Sequence, residues 1–499
     1  MLSSEEQSLV FKKPKDGVRK IVLSTNIAET SVTIDDVVYV IDCGRMKENR
    51  YDSVKGMESL EEVWVSQANA RQRRGRAGRV TSGFCFHLFT SHRFQHKVAS
   101  HQIPEIQRVP LEKLCLRIKV LGLFFGRDIK EVLGKLLQPP FEESINDAIR
   151  RLHNIGALDT DENLTSLGYH LAALPVDVRI GKLMLLGAIF QCLDPVLTIG
   201  AILSYRSPFS APFDKREEAD KKRQAMALGN SDHMTLLNSY KGWLESMAGG
   251  MGAGYHYCRT NFLSMKTLQM IASLKCQYAE LLSDIGFIKA DLTARKIGRL
   301  APRTGDGVLA ATGEEMNINS KNQKLVLGVV CAALFPNVVQ VVKPDIKYKA
   351  SIAGAVPVDS KAAELKFWTK NDGQAFIHPK SVNFQVNSFD SPYLVYHEKV
   401  KTSKVYIRDC SMVSVYSLLL FCGDCLSVRL EKGVFVVSID DGWIRFAASS
   451  HEVATLVQDL RKELDRLLEN KIENPSLDLT SCARGSRIID TIVRLISTQ

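Results

Sequence analysis

Residues 72–79 read Gln72-Arg73-Arg74-Gly75-Arg76-Ala77-Gly78-Arg79, and residues 24–35 read STNIAETSVTID. These two stretches decide how the chain is to be read. In a helix, Gln72, Arg76 and Arg79 fall at i, i+4 and i+7, on one face. Two guanidinium groups on one side suit a transferring phosphoryl group, whose charge is spread over several oxygens. Gly75 and Gly78 each cost a helix about 1 kcal/mol relative to alanine. Keeping both implies that something large approaches the backbone there. A solvated basic face, or a plain RNA-contact helix, is the simpler alternative. The earlier stretch follows an apolar segment directly. Its small hydroxyl and amide side chains, at a helix start, can hold phosphate oxygens, although the same residues serve as ordinary helix caps.

Working outward, residues 21–24 and 37–41 (VVYVI) read as strands of a buried parallel sheet, with a third at 84–89. Such sheets place ligand sites at their strands' carboxyl ends. Ile145, Ala148, Ile149, Leu152 and Ile155 recur at helical spacing, and Gly156 stops that helix. Residues 166–301 read as helical, with 248–254 (AGGMGAG) a flexible loop. The apolar window 181–203 is broken by Lys182, Asp194 and Pro195, so it reads as buried helix and not as a membrane span. The polar stretch 302–322 reads as a linker. From residue 324 on, short β-rich segments dominate, beginning with VLGVVCAALF (326–335), and suggest a small barrel or sandwich. An amphipathic helix over 453–468 follows.

The 499 residues allow three or four domains. The net charge of +10 is a mild bias toward polyanions, but five arginines lie between Arg71 and Arg79 with no acid among them. Eleven scattered cysteines and no signal-peptide pattern read as an intracellular chain with reduced thiols. The single C-x-x-C, Cys422 and Cys425, has no second ligand pair at zinc spacing, so no metal site is expected. Ser231, Asp232 and His233 read as a helix cap.

Together, STNIAETSVTID and QRRGRAGR resemble motifs V and VI of the DEAH/RHA group of superfamily 2 RNA helicases. PEIQRVPLEKLCLRIK (104–119), LTSLGYHLAALPVD (164–177), SDHMTLLNSYKGW (231–243) and YCRTNFLS (257–264) are similar to the region that follows that family's ATPase core. IHPKSV (377–382) and KTSKVYIRD (401–409) resemble its oligonucleotide-binding (OB) fold. The resemblance covers nearly the whole chain and is strongest to the cytoplasmic RHA-like branch.

It implies a multidomain α/β, α and β architecture. The parts would be a partial second RecA-like lobe (1–95), a winged helix (96–165), a ratchet-like helical bundle (166–301), an OB-fold (323–445) and a C-terminal helical extension (446–499). It also implies residue roles. Arg76 and Arg79 would be arginine fingers on the γ-phosphate of ATP, with Gln72 positioning the attacking water or the γ-phosphate. Thr33, Asp35 and Phe11 would contact the nucleotide, Phe11 by stacking on adenine. Ser24, Thr25 and Asn26 would couple ATP to RNA. In the OB-fold, His378, Lys380, Ser381, Thr402, Lys404 and Arg408 would meet single-stranded RNA. Residues 42–62 would form a strand-separating hairpin.

A full motor of this family also needs a phosphate-cradling G-x-x-x-x-G-K-S/T loop and a D-E-x-H acid pair for magnesium. Neither occurs here; Gly134-Lys135 and Gly181-Lys182 are both followed by leucine. The expectation is therefore the C-terminal part of an ATP-dependent RNA helicase whose first RecA lobe, holding ATP and Mg2+, is absent from this chain. The alternative is an inactive RNA-binding or regulatory short product. The resemblance favours cytoplasmic over nuclear residence and implies neither membrane nor oligomer.

Overall fold

The computed structural model describes residues 9–30, 33–52, 57–121, 127–212, 215–288, 292–300, 304, 306–342, 347–351, 354–358, 364–401, 404–423, 426–477, 479 and 483–498. The chain divides into two compact units. One comprises residues 1–52, 58–110 and 137–141; the other comprises 53–57, 111–136 and 142–499.

In the first unit, β1 (Tyr39–Asp42), β2 (Arg45–Asp52) and β3 (Met57–Trp64) precede helix α1 (Gln67–Arg74), and β4 (Phe84–His87) follows it. β4 lies parallel to β1, with Tyr39 opposite Phe84 and Asp42 opposite His87. β2 and β3 are hydrogen-bonded neighbours, as a hairpin over 42–62 requires; residues 53–56 lie outside the described residues. The expected buried parallel sheet is only half there. Residues 21–24 form no strand, and Leu23 is 95% exposed. Tyr39, Ile41, Phe84 and Phe86 also lie open to solvent. A run of β-branched residues becomes a strand only beside a partner, and no described strand pairs with residues 21–24.

The second unit begins with short helices and a helix–hairpin piece. Helix Glu142–Ile155 ends at Gly156, whose φ of +81° suits glycine. Leu158 then bridges Leu164, and helix Ser166–Ala173 starts on a Thr165 cap. The apolar window 181–203 is two buried helices, Val178–Ile189 and α2 (Leu193–Ser204), and among the described residues no helix is long and apolar enough to cross a membrane. α3 (Arg216–Ala225), α4 (Asp232–Ala248), Met251–Thr260 and α5 (Met265–Asp284) complete the bundle.

Two expectations fail here for identifiable reasons. Residues 248–254 are not a flexible loop: the chain breaks only at Gly249–Gly250, with Gly250 at φ +101°, and helix resumes at Met251. Gly254 is there for contact, since a Cβ on it would sit 2.3 Å from the Met247 Sδ. Nor is 302–322 a linker. Helix Val308–Thr312 lies within it, and its polar residues serve the bundle. Asp306 pairs with the buried Lys275 on α5 (2.8 Å), which also holds Asp194 on α2 (2.6 Å). Asn317 Oδ1 accepts from the Asp194 N–H, and Asn319 Nδ2 donates to the Phe190 carbonyl.

VLGVVCAALF is helix Gln323–Leu334, not strand; an unbroken apolar run carries no period to separate the two, and this one is buried all round. β5 (Val338–Val342), β6 (Lys366–Thr369), β7 (Gly373–Ile377), β8 (Tyr393–Lys401) and β9 (Val405–Met412) then form a closed ring in the order β9–β7–β6–β5–β8–β9. This is the five-stranded barrel of an OB-fold. Val339, Val341, Phe367, Phe389, Leu394 and Ile407 are among the side chains that fill it. A separate antiparallel sheet (Ser427–Glu431, Val434–Ile439, Ile444–Ala448) precedes helices His451–Glu473 and Ala483–Ser497. Cys422 is buried with its Sγ 3.5 Å from that of Cys331, while Cys425 lies outside the described residues.

Candidate nucleotide half-site and nucleic-acid interface

The first site is built on α1. Ser66 caps it: its hydroxyl accepts from the Asn69 N–H (3.1 Å), and the Asn69 side chain accepts from the Ser66 N–H (3.3 Å). The α-helix runs to Arg74, and Gly75–Gly78 continue as a 3-10 turn, with Arg79 still in the right-handed helical region. The tighter winding matters. In a 3-10 helix, residues three apart eclipse one another; Arg76 lies within this turn and Arg79 follows it directly. Gln72, on the α-helical turn before, is offset from them by part of a turn. Gln72 and Arg79 are exposed and Arg76 is half-buried.

What orients this helix was not legible in advance. Arg73 is 13% exposed and lies between two carboxylates. Its Nε donates to Glu29 (2.9 Å), and its Nη1 donates to Asp42 at the carboxyl end of β1 (2.8 Å). Asn69 Nδ2 donates to the other Glu29 oxygen. Asp42 also accepts from the Gly44 N–H (2.9 Å) and lies 3.3 Å from His87 Nδ1. Burial works against the Arg73 charge, but the bonds to Asp42 and Glu29 outweigh it and hold its proton more tightly than usual. The second arginine of the run is thus a bolt joining the two quoted motifs. The one hint in the sequence was Glu29, an acid in the middle of the first motif.

The glycines bear on the same site. Gly75 and Gly78 have no positive φ, and a Cβ on either would meet nothing within 4 Å. Neither the fold's backbone nor its packing requires them; the space above them is open. Gly83 differs: a Cβ there would lie 2.0 Å from the Ala77 carbonyl and 2.4 Å from that of Val38, so it lets the 3-10 turn close onto β1.

In the first motif, Ala28 and Glu29 donate their N–H groups to the Thr25 and Asn26 carbonyls, which starts the short helix Ile27–Thr30. Ser24, Thr25 and Asn26 are exposed, as are Thr33, Asp35 and the Phe11 ring. Ser31 and Val32 lie outside the described residues. It is Asp36, not Asp35, that meets Lys20 (2.8 Å), and this bond holds its carboxyl below the usual range. Gln72, Arg76, Arg79, Thr33 and Asp35 all belong to the first unit. Among the described residues no group of three His, Cys, Asp or Glu is placed to hold a metal ion.

The second site lies in the other unit, in a cavity of about 360 Å³ between α2, α3 and α4 on one side and the barrel on the other. His378, Lys380, Ser381 and Arg408 all line it. Lys404 does not; its Nζ sits 4.3 Å above the Phe376 ring. Thr402 lies outside the described residues.

Several of these side chains have structural partners. Ser381 Oγ donates to Asp232 (2.6 Å), which also accepts from the Val382 and Cys410 N–H groups (both 2.9 Å). Ser231 caps α4 through the Met234 N–H, and its hydroxyl is 2.6 Å from that of Ser411 on β9. Asp232 thereby fastens loop 378–382 and β9 to the start of α4, and the expected capping role of this segment holds with more partners than a cap needs. Arg408 pairs with Glu398 (3.0 Å). Burial, with Arg408, Lys380 and Arg223 nearby, pulls the His378 ring down to about 4, so it is neutral at physiological pH.

Comparison with known proteins matches this arrangement segment by segment. Residues 1–81 match the helicase conserved C-terminal domain. Residues 148–176 and 177–236 match the winged-helix and ratchet-like parts of the helicase associated domain. Residues 326–425 match the OB-fold of that group, and 436–498 the C-terminal domain in RNA helicases. The chain is 62% identical to DHX57 of Mus musculus over 498 residues, all of this chain and 36% of the relative. It is 42% identical over 502 residues to the ATP-dependent DNA/RNA helicase DHX36 of Bos taurus, covering 46% of it. It is also 42% identical over 494 residues to the DExH-box ATP-dependent RNA helicase DExH1 of Arabidopsis thaliana, covering 45%. The chain therefore spans less than half the length of these curated relatives. The order of its domains, the bolted motif helix and the closed barrel place the chain in the DEAH/RHA-type superfamily 2 helicases, as a C-terminal part of that architecture.

Proposed function

We propose that this chain supplies the arginine-finger side and the RNA-holding domains of an ATP-dependent RNA helicase. The observation that carries the proposal is the 3-10 continuation of α1. It carries Arg76 and is followed directly by Arg79, beside two glycines whose open space no described residue fills. Bound ATP would place its γ-phosphate over that turn. The chain's residues fit it from one side only: Arg76 and Arg79 would neutralise the charge that builds on the equatorial oxygens, and Gln72 would orient water. Thr33 and Asp35 would meet the nucleotide, and the exposed Phe11 ring is free to stack on the base. Magnesium would be held by residues outside this chain, in the first RecA lobe of the complete protein.

RNA would run through the winged-helix, ratchet and OB domains. Its phosphates would be held by exposed cations such as Lys380, and Ser24, Thr25 and Asn26 would sense its backbone beside the nucleotide. Such contacts are independent of sequence and weaken with salt. ATP-driven closure of the two lobes would move the strand in the 3′-to-5′ sense. By itself, the chain would bind RNA without turning over ATP.

The test is Arg76→Ala in the complete protein. RNA-stimulated ATP turnover should fall on the order of 10³-fold, with RNA affinity retained. Unchanged turnover would remove the finger assignment.

A further inference from the structure

The cavity beside the barrel has a wall that RNA phosphates would avoid. Three carboxylates line it, those of Asp232, Glu398 and Asp409. Asp232 is satisfied by its three donors and Glu398 by Arg408. Asp409 is the remainder: among the described residues no hydrogen bond or ion pair reaches its carboxylate.

Its backbone is as unusual as its surroundings. Asp409 sits inside β9 with φ +49°, a left-handed conformation that most side chains resist. The β8–β9 ladder pairs Tyr396 with Cys410 and Glu398 with Arg408 but skips the pair between them, His397 and Asp409. His397 lines the same cavity, and its Nδ1 is sealed from solvent with no hydrogen-bond partner. A sealed, unpartnered imidazole nitrogen on one strand and a half-buried carboxylate lining the cavity on the other, at the one break in this strand pair, mark a place built for something else.

The rest of the lining describes that ligand. Tyr205 and Phe209 supply flat apolar faces, each with an arginine over it: Arg206 at 4.9 Å and Arg223 at 4.4 Å. Plates of this kind take a nucleobase. A carboxylate accepts two parallel N–H bonds. Among the four RNA bases, guanine alone offers two adjacent N–H donors on its Watson–Crick edge, at N1 and N2. Adenine and cytosine set an acceptor beside their amino group, and uracil has one N–H between two carbonyls.

We propose that this cavity is a guanine-reading site, in which the N1–H and N2–H of one extruded base donate to the two Asp409 oxygens while exposed Lys380 and Arg206 hold the flanking phosphates. Burial, with Asp232 and Glu398 nearby, pushes the free carboxyl up to about 7; two N–H donors would return it to the ionised form. The proposal rests on the reading of the chain as RNA-binding, and adds base selectivity to contacts otherwise blind to sequence.

The experiment is fluorescence anisotropy of the full chain with 12-nucleotide uridine oligomers carrying one central guanosine, inosine or N1-methylguanosine. Inosine lacks the N2 amino group, and the methyl group blocks N1. Guanosine should bind roughly tenfold more tightly than either. Asp409→Asn, which tolerates the same backbone conformation, should erase that preference and leave all-uridine affinity within about twofold. The modified bases test the wild-type chain, so the result does not depend on the variant folding. Binding to uridine oligomers without preference for guanosine, or a preference that survives Asp409→Asn, overturns the guanine site alone. Failure to bind any oligomer overturns the RNA reading as well.

Discussion

The two cation-rich regions of this chain are opposites. Around α1, Gln72 and Arg79 are exposed, and the small sheet behind them shows Tyr39, Ile41, Phe84 and Phe86 to solvent. Around the barrel, most polar side chains are already spoken for: Ser381 by Asp232, Arg408 by Glu398, and Lys399 by Asp372. The first region is half of something and the second is nearly whole. A group that holds the fold is satisfied, whatever its charge suggests.

Substitution can break the contrast at its strongest points. Lys275→Met in the second unit removes a cation that is 1% exposed and leaves the Asp306 carboxylate and the half-buried Asp194 without it. Breaking such a pair costs about 3–5 kcal/mol, and denaturant unfolding of the second unit should show it. Arg73→Ala does the equivalent in the first unit by releasing Glu29 and Asp42. Because Arg73 keeps some solvent contact, the loss should be smaller, about 2–3 kcal/mol. In the complete protein it should also lower ATP turnover by misplacing Arg76. If Arg73→Ala removed turnover with stability intact, Arg73 would be a participant and not a bolt.

The third prediction concerns pH. The Asp409 carboxyl is raised from 3.8 to about 7 by burial, helped by Asp232 on α4 and Glu398 on β8 and opposed by Arg223 on α3 and Arg408 on β9, with His397 across the strand. A raised carboxyl favours the protonated folded state, so its contribution is full below pH 3.8 and is lost as pH rises through about 7. Burial pulls His378 down to about 4 and His397 to about 3, so these two contribute with the opposite slope, lost as pH falls. The difference between the wild type and Asp409→Asn isolates the aspartate. The stability advantage of wild type should shrink steadily from pH 4 to pH 8 in thermal melts. A constant difference would show that Asp409 does not titrate there.

The smallest effect sharpens the comparison most. Gly75→Ala meets no atom within 4 Å, so the isolated chain should gain up to about 1 kcal/mol from helix propensity. The complete protein should nevertheless lose ATP turnover if a nucleotide closes over that turn. A stabilised variant with unchanged turnover would mean that the space is idle.

The same contrast explains what could be read in advance. The two motifs were legible because their residue types stand at a family's fixed spacing, and the winged-helix and barrel segments because their periods are clean. Helix Gln323–Leu334 was not, since burial on every side erases the period that separates helix from strand. Asp306 was lost in a stretch that looked like linker, because its partner Lys275 is 31 residues away in sequence. The Cys331–Cys422 contact joins residues 91 apart. Asp409 carried no signal at all: a left-handed φ inside a strand is a property of the assembled barrel. Arg73 was visible only as one more arginine, and its burial between two acids is what separates it from its neighbours.

One consequence follows from the fastening of Asp232. Its carboxylate takes two donors from loop 378–382 and one from within β9, and Ser231 beside it meets Ser411. A joint with that many short bonds has almost no slack. When a load tugs on loop 378–382, the first turn of α4 must travel with it as one rigid piece, so barrel and bundle would ratchet together or not at all.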